Sequence, residues 1–248
     1  MSQTLVERYG LAAADIEERS FQIIDRLVPG DLLPADPADR AVAKRIIHAA
    51  GDPGLAPLIA IAPGAVAGGV AALRRGCPIL TDVRMVAVGV SRDLAGKFGN
   101  PSVCLLDDAR VPAKARAEGT TRAVAAVRLR AADLAGAVVA IGNAPTALLA
   151  LLDLVDAGVG GCPALVVGIP VGFVNAAEAK EELVGRKVPY ITVRGHRGGS
   201  PLAAAAVNAL LKLATGLGGP GDHYRERDRA APGPETGATQ GEAGLHHD

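Results

Sequence analysis

The chain has 248 residues with 26 basic and 26 acidic side chains, so its formal charge is zero, and about half of it is apolar. This charge balance argues against a nucleic-acid-binding protein, which needs a basic surface, and three Phe, three Tyr and no Trp offer few platforms for base stacking. The apolar runs are interrupted well short of the ~20 residues of a membrane helix, so we expect no membrane span.

The cysteine content points to a reducing compartment. Cys77, Cys104 and Cys162 are odd in number and form no CxxC pair, so we expect neither a disulfide framework nor a zinc site. The N-terminal segment is too charged for a signal peptide. We therefore expect a cytoplasmic protein.

The first part of the chain has helical periodicity. The segment DIEERSFQIIDRL places four positions on one helical face: Ile16, Ser20, Ile23 or Ile24, and Leu27. The segment DPADRAVAKRIIHAAG predicts a helix with Asp36 as its N-cap, Pro37 at its first position and Gly51 at its end. GAVAGGVAALRRG predicts a third helix.

From Cys77 onward, short apolar strands alternate with helices. CPILTD is a strand candidate, and three segments then show the order strand, glycine-rich turn, helix: AGAVVAIGNAPTALLALLDLV, PALVVGIPVGFVNAAEAKEELV and VPYITVRGHRGGSPLAAAAVNALLKL. Such alternation of continuous apolar strands with helices predicts a parallel sheet. The predicted fold is a single α/β domain, residues 1–218, with a mainly parallel sheet flanked by helices and a helical N-terminal region.

The final residues have a different composition. From Gly219 the chain is rich in Gly, Pro and charged residues and lacks apolar periodicity. We expect residues 219–248 to form a disordered tail, in which His223, His246 and His247 are solvated rather than metal ligands.

The three glycine-rich loops are predicted to line one mouth. In a parallel sheet, ligands bind beyond the carboxyl ends of the strands, where the loops at Gly142, Gly168 and Gly195 lie. Each loop precedes a helix N-terminus, which favours anions, and Arg194 and Arg197 add positive charge. The pattern indicates a multiply anionic ligand, although each loop by itself is also compatible with ordinary turn chemistry. No loop matches a nucleotide-binding glycine motif.

His48 is a candidate acid–base residue. It lies in the last turn of its predicted helix, where the dipole favours the imidazolium, whereas Arg45, three residues earlier, opposes that charge. A histidine balanced near neutrality can exchange a proton. On spacing alone, a helix-end histidine bonded to a terminal carbonyl is the favoured alternative.

Three further positions have two interpretations each. Ser20 can bind a ligand or return a hydrogen bond to a carbonyl one turn earlier. Arg122 follows Thr120 or Thr121 at a helix start, where an arginine is unfavourable unless an anion or a salt bridge lies opposite. Asp82, which ends the CPILTD strand, is a candidate orienting group or a helix cap.

Seven motifs of the chain form a recognisable set: ERSFQII, RIIHAAGD, PILTDVRMV, TTR, AIGNAPTALLALL, GIPVGFVNAAEAKEEL and VRGHRGGSPLAAAAVNALL. Taken together, they resemble the precorrin-8X methylmutase family, called cobalt-precorrin-8 methylmutase in the anaerobic branch. They occur in family order and cover about residues 14 to 215.

The resemblance implies a reaction and a set of site residues. Members are homodimeric isomerases of corrin biosynthesis that use no cofactor and move a methyl group from C11 to C12 of precorrin-8X or cobalt-precorrin-8, giving hydrogenobyrinate or cobyrinate. The family's catalytic histidine matches His48. Its substrate-binding positions match Ser20 and Arg45, and Arg122 matches a further pocket position. As additional substrate-binding candidates we take Arg19, Asp82, Asn143 and Arg194.

The chain departs from the family pattern at two positions, and two other functions remain as alternatives. Ala179 and His196 replace residues that are common in the family, which affects side-chain contacts but not His48.

A non-catalytic tetrapyrrole carrier would use the same binding residues. A generic phosphate-ligand enzyme rests only on the glycine-rich loops.

Overall fold

The computed structural model describes Thr4, Leu5, Gly10 and residues 13–216. The segment 219–248, with its three histidines, lies outside these residues, so its assignment as a tail stays a prediction. Within the described part of the chain, no helix combines the length and the apolar composition needed to cross a bilayer.

Three helices form the N-terminal region, as predicted. They are α1 (Ala13–Leu27), α2 (Pro37–Ala50) and α3 (Ala65–Arg74). The Asp36 side chain accepts hydrogen bonds from the first free N–H groups of α2, and Gly51 ends that helix with φ 62°, a left-handed conformation that glycine adopts without strain. These caps place His48 in the last turn of α2.

A six-stranded sheet forms the centre of the molecule. Its strands are β1 (Ile59–Ile61), β2 (Ile79–Thr81), β3 (Ser102–Cys104), β4 (Val138–Ile141), β5 (Leu165–Gly168) and β6 (Tyr190–Val193). The spatial order is β1-β6-β5-β4-β2-β3. Only the β1–β6 pair is antiparallel. The predicted α/β fold with a mainly parallel sheet is confirmed.

Helices cover both faces of the sheet. Those that follow α3 are α4 (Arg84–Gly89), α5 (Arg92–Gly96), α6 (Val111–Ala117), α7 (Arg122–Leu129), α8 (Pro145–Asp156), α9 (Ala176–Val184) and α10 (Ser200–Ala214). One core lies between the sheet and the helices α1 to α5 and α10. The second core lies on the opposite face, against α6 to α9. Strands β4 and β5 are fully buried because both faces are covered.

The structure adds two edge strands and alters the predicted face of α1. The sequence analysis did not identify β1 and β3, because each is only three residues long and lies at a sheet edge. In α1 it is Ile24, 6% exposed, that enters the core, whereas Ile16 is 50% exposed and Leu27 is 60% exposed. The apolar stripe containing Ile16 and Leu27 therefore faces outward.

The close packing of the first glycine-rich loop gives a stability prediction. A Cβ atom at Gly142 would lie 2.7 Å from Val86 Cγ2 and 2.8 Å from Ser200 Cα. Because a backbone atom cannot move aside cheaply, Gly142→Ala should lower the free energy of unfolding by about 1–3 kcal/mol in urea denaturation. Gly96→Ala is the matched control, since nothing lies within 4 Å of its added Cβ. Equal stability of the two variants would contradict this packing.

Candidate active site

The three glycine-rich loops meet at one edge of the sheet, as predicted. Strands β4, β5 and β6 are parallel neighbours, so their carboxyl ends lie side by side. The loop after β5 is hydrogen-bonded to the loop after β6, with Gly172 N–H donating to His196 O over 3.1 Å and Gly199 N–H donating to Ile169 O over 2.9 Å. These bonds join two loops of the mouth into one layer.

Asp82 supplies a carboxylate to the first loop. Its side-chain oxygens accept hydrogen bonds from the N–H groups of Gly142, Asn143 and Ala144 at 3.0, 2.8 and 2.8 Å. Burial raises the pKa of Asp82, and these three bonds oppose that rise. Since Asp82 is only 2% exposed, its position favours the orienting role over a direct contact with a ligand.

The remaining site candidate in this loop is Asn143. Its N–H is engaged by Asp82, while its side chain is exposed at the mouth. The N-terminus of α8 favours an anion, and the Asp82 carboxylate already occupies this position. A ligand would meet the side chain of Asn143 here rather than a free helix terminus.

The arginines of the third loop are paired with carboxylates of the same chain. Arg194 donates two hydrogen bonds to Glu181, and Arg197 Nη1 lies 2.9 Å from Asp52 Oδ2. All four side chains are between 44 and 49% exposed. Exposed pairs of this kind contribute about 0–1 kcal/mol, so an incoming carboxylate can exchange with Glu181 or Asp52 at low cost.

A buried lysine lies beneath the third loop. Lys180 in α9 is fully buried, and its Nζ donates to the carbonyl oxygen of Arg197 over 2.7 Å. Burial lowers the pKa of this ammonium group to about 8. The sequence analysis missed Lys180, although it shares a helical face with Ala176 and Leu183, two residues of the kind that marks a buried face.

His48 lies beside the aromatic ring of Phe21. The two rings are in edge contact, with 5.8 Å between centroids, and the Arg45 guanidinium lies 5.1 Å from the Phe21 centroid. Burial lowers the pKa of His48, Arg45 lowers it further and Glu17 opposes both. The lowered pKa therefore favours the neutral imidazole in the free protein, although the helix dipole favours the imidazolium.

The ring nitrogens of His48 are available to a ligand. Among the described residues, no hydrogen bond joins either nitrogen to a protein group, and the side chain is half-buried rather than solvated. A histidine whose ring is bonded to the helix-end carbonyls is therefore not what the structure contains. This geometry leaves one face of α2 with an unused proton donor and acceptor.

Two polar residues of α1 bear on the candidate site, one of them expected from the sequence and one not. Ser20 Oγ donates to Ile16 O over 2.7 Å, which is the local hydrogen bond considered as its alternative; its oxygen can still accept a hydrogen bond. Glu17, only 8% exposed, pairs with Arg45 and with Lys212. Sequence reasoning missed Glu17, because a Glu in a charged helix is normally solvated.

Arg122 lies in a separate pocket. It follows Thr121, which caps α7 by accepting a hydrogen bond from Val124 N–H. With Arg116 and four neighbouring residues it lines a surface pocket of about 420 Å³. In the described residues neither Arg122 nor the exposed Arg19 of α1 is ion-paired, and no hydrogen bond joins Arg122 to His48. Their substrate-binding roles stay predictions.

The parallel strands whose carboxyl ends carry the three glycine-rich loops, together with the half-buried imidazole of His48, indicate an α/β enzyme. Comparison with known proteins gives the family. The family model described as precorrin-8X methylmutase matches residues 15–213. The chain therefore belongs to the precorrin-8X methylmutase family, and it is an isomerase of cobalamin biosynthesis.

Individual relatives agree with this assignment. A precorrin-8X methylmutase of Pseudomonas aeruginosa is 51% identical over 180 residues, 72% of this chain and 85% of the relative. A cobalt-precorrin-8 methylmutase of Methanothermobacter thermautotrophicus is 38% identical over 199 residues, 80% and 92% of the two chains. A crystal structure of precorrin-8x methyl mutase from Thermus thermophilus superimposes with a TM-score of 0.74 at 42% identity, covering 82% of this chain and 99% of that one.

The buried lysine gives a pH-dependent prediction. Between about pH 8 and the ordinary lysine pKa of 10.5, the unfolded chain binds a proton at Lys180 that the folded chain does not. The free energy of unfolding therefore increases as the pH rises through this range. Lys180→Met removes this dependence on pH. The free energy of unfolding of the wild-type protein, minus that of Lys180→Met, should therefore become more positive by about 2–3 kcal/mol between pH 7 and 10.

The measurement is urea denaturation at several pH values. Lys187→Met, at an exposed position near the end of α9, is the matched loss of a lysine charge. A wild-type minus Lys180→Met difference that stays constant over this range would show that the Lys180 ammonium is not destabilised by burial.

Proposed function

We propose that the enzyme, as a cytoplasmic homodimer, moves a methyl group from C11 to C12 of precorrin-8X and releases hydrogenobyrinate, with His48 as the proton donor. The migration is a [1,5]-sigmatropic shift within one molecule, so no group leaves and mass is conserved. The observation that carries this proposal is the half-buried imidazole of His48, whose nitrogens have no described protein partner. The family match supplies the class of reaction.

The surroundings of His48 suit an anionic macrocycle. A precorrin is a flat tetrapyrrole with acetate and propionate groups around its rim. Arg45 is close enough to His48 to hold one of these carboxylates near the imidazole, and Ser20 and Arg19 follow on the neighbouring helix. Arg194 and Arg122 offer charges farther along the rim, while Asn143 offers an amide. Asp82 contributes by fixing the loop that carries Asn143.

His48 acts by selecting a tautomer of the bound substrate. A methyl shift needs no nucleophile, but it requires the correct arrangement of double bonds, which a proton on a ring nitrogen can select. The lowered pKa of His48 makes its imidazolium a stronger acid than that of a free histidine. The substrate's carboxylates favour this charged form once they lie nearby.

The names of the two relatives described above favour the metal-free substrate for this chain. The relative named for precorrin-8X is 51% identical to this chain, whereas the relative named for cobalt-precorrin-8 is 38% identical. We therefore expect precorrin-8X to be converted faster than cobalt-precorrin-8. Parallel incubations with the two substrates, followed by visible absorbance, measure this preference.

Replacement of the proposed proton donor tests the mechanism. His48→Gln keeps a polar side chain but cannot transfer a proton, so turnover of precorrin-8X should fall about 10²–10⁴-fold. The assay is the colour change of the substrate at constant mass. The control is His223→Gln, which makes the same substitution in the segment predicted to be a tail.

Two outcomes would contradict the proposal. Undiminished turnover by His48→Gln would remove His48 from the mechanism. A wild-type protein that binds precorrin-8X without changing its spectrum would be the carrier considered above.

An exposed apolar stripe on α1 supports the homodimer. Ile16, Ile23 and Leu27 are spaced for one helical face, and they are 50, 42 and 60% exposed. Ser20 lies in the same stripe, so a second copy of the chain on this face would reach the edge of the active site. Burying these three side chains between copies removes apolar surface from water.

Sedimentation of a charged variant tests this interface. Ile23→Glu should convert a dimeric protein to a monomer, because it places an unpaired charge in the apolar stripe. Gln22→Glu adds the same charge to a neighbouring exposed position outside the stripe and should leave the dimer intact. A monomeric wild-type protein, or a dimeric Ile23→Glu variant, would refute the assignment of this face.

A further inference from the structure

A buried carboxylate joins three helices behind His48. Glu17 of α1 is 8% exposed, and its Oε1 accepts hydrogen bonds from Arg45 of α2 and from Lys212 of α10, the latter over 2.9 Å. The three side chains are between 8 and 18% exposed. Ion pairs this well shielded are strongly coupled, unlike the exposed pairs of the loops.

The same residues control the position of the guanidinium beside His48. Phe21 follows Glu17 by one helical turn, and its ring contacts both Arg45 and His48. The Arg45 guanidinium is thus held at its end by a carboxylate and on its face by an aromatic ring. Lys212 in turn holds the carboxylate from the opposite side.

Glu17 offsets part of the positive charge around His48. Among the described residues, the ion-paired side chains of the surrounding elements are Arg45 and Lys44 of α2, Glu17 and Asp25 of α1, Lys212 of α10, and Asp52 after α2, which pairs with Arg197. Lys44 pairs with Asp25 over 2.7 Å. Arg45 and Lys212 share the single carboxylate of Glu17.

We propose that Glu17 is a positioning residue of this enzyme: its carboxylate, braced by Lys212, fixes the Arg45 guanidinium at the side of His48 and offsets its charge there. This role rests on the proposed function of His48. Glu17 does not touch the substrate. It determines where Arg45 presents its charge and how readily His48 accepts the proton that it later donates.

The test compares two carboxylate-to-amide variants on the same helix. Glu17→Gln removes the charge that favours the imidazolium, so the pH at which His48 is half protonated should fall. The loss of turnover at high pH, where the imidazolium is depleted, should move to lower pH by the same amount. We expect at least a threefold loss of precorrin-8X turnover at pH 7, with recovery toward pH 6. Asp25→Asn also breaks a salt bridge between α1 and α2. It should change neither the pH at which His48 is half protonated nor the pH at which turnover is half lost.

Two readouts separate positioning from a structural defect. The His48 midpoint is followed by NMR of the imidazole in the free protein, and the pH–rate profile is followed by absorbance. The double variant Glu17→Gln/Lys212→Met removes one charge of each sign, so it leaves no buried lysine unpaired if the single variant fails to fold. It should show a downward shift of the His48 midpoint smaller than that of Glu17→Gln, because the loss of the Lys212 charge partly offsets the loss of Glu17.

The outcomes also separate this inference from the proposed function. Folded Glu17→Gln with an unchanged His48 midpoint and pH–rate profile would overturn the positioning role. A midpoint that moves in Glu17→Gln, together with full turnover in His48→Gln, would refute the catalytic role of His48 and leave the electrostatic link intact.

Discussion

The Asp82 carboxylate accepts hydrogen bonds from three consecutive N–H groups at the start of α8, and the geometry of the mouth depends on this contact. A strand that turns sharply into a helix leaves backbone donors without partners, and burying them unpaired costs about 1–3 kcal/mol each. Asp82 comes from a neighbouring strand, so it satisfies these donors and also ties β2 to the turn after β4. The close approach of Gly142 to Ser200 requires the same turn.

The internal pairing of charges divides the site into two parts. Around the mouth, Arg194 and Arg197 are held by exposed carboxylates that a substrate can replace. Behind His48, Arg45 and Lys212 are held by a buried carboxylate that solvent does not screen. In the exposed pairs a substrate carboxylate can replace a protein carboxylate. The buried cluster instead holds the charged groups that act on His48 in fixed positions.

Most of the topology could be predicted because it depends on local patterns. The caps Asp36 and Gly51 and the strand–turn–helix repeats are encoded within short segments, and each of them is found where it was expected. The edge strands β1 and β3 could not be found in this way, since three residues with no periodicity of their own become strands only by pairing with a neighbour.

The site was predicted less completely for a related reason. Local spacing and position made His48 and Asp82 candidates, and the family resemblance supplied the roles predicted for His48 and Arg45. Glu17 and Lys180 were missed, because a charged residue in a helix is normally solvated and only contacts from distant segments bury it. Local spacing also could not decide between Ile23 and Ile24, since that choice depends on how α1 rotates against α2.

By itself, the sequence determined the helix ends, the alternation of strands and helices, the parallel sheet and the glycine-rich loops at its carboxyl edge, because hydrophobic period, capping and turn chemistry act over a few residues. The tertiary structure alone decided which charges are neutralised and which nitrogens stay free. Those properties arise between residues such as Glu17 and Lys212 or Lys180 and Arg197, which are far apart in the chain and meet only after the helices have packed on the sheet.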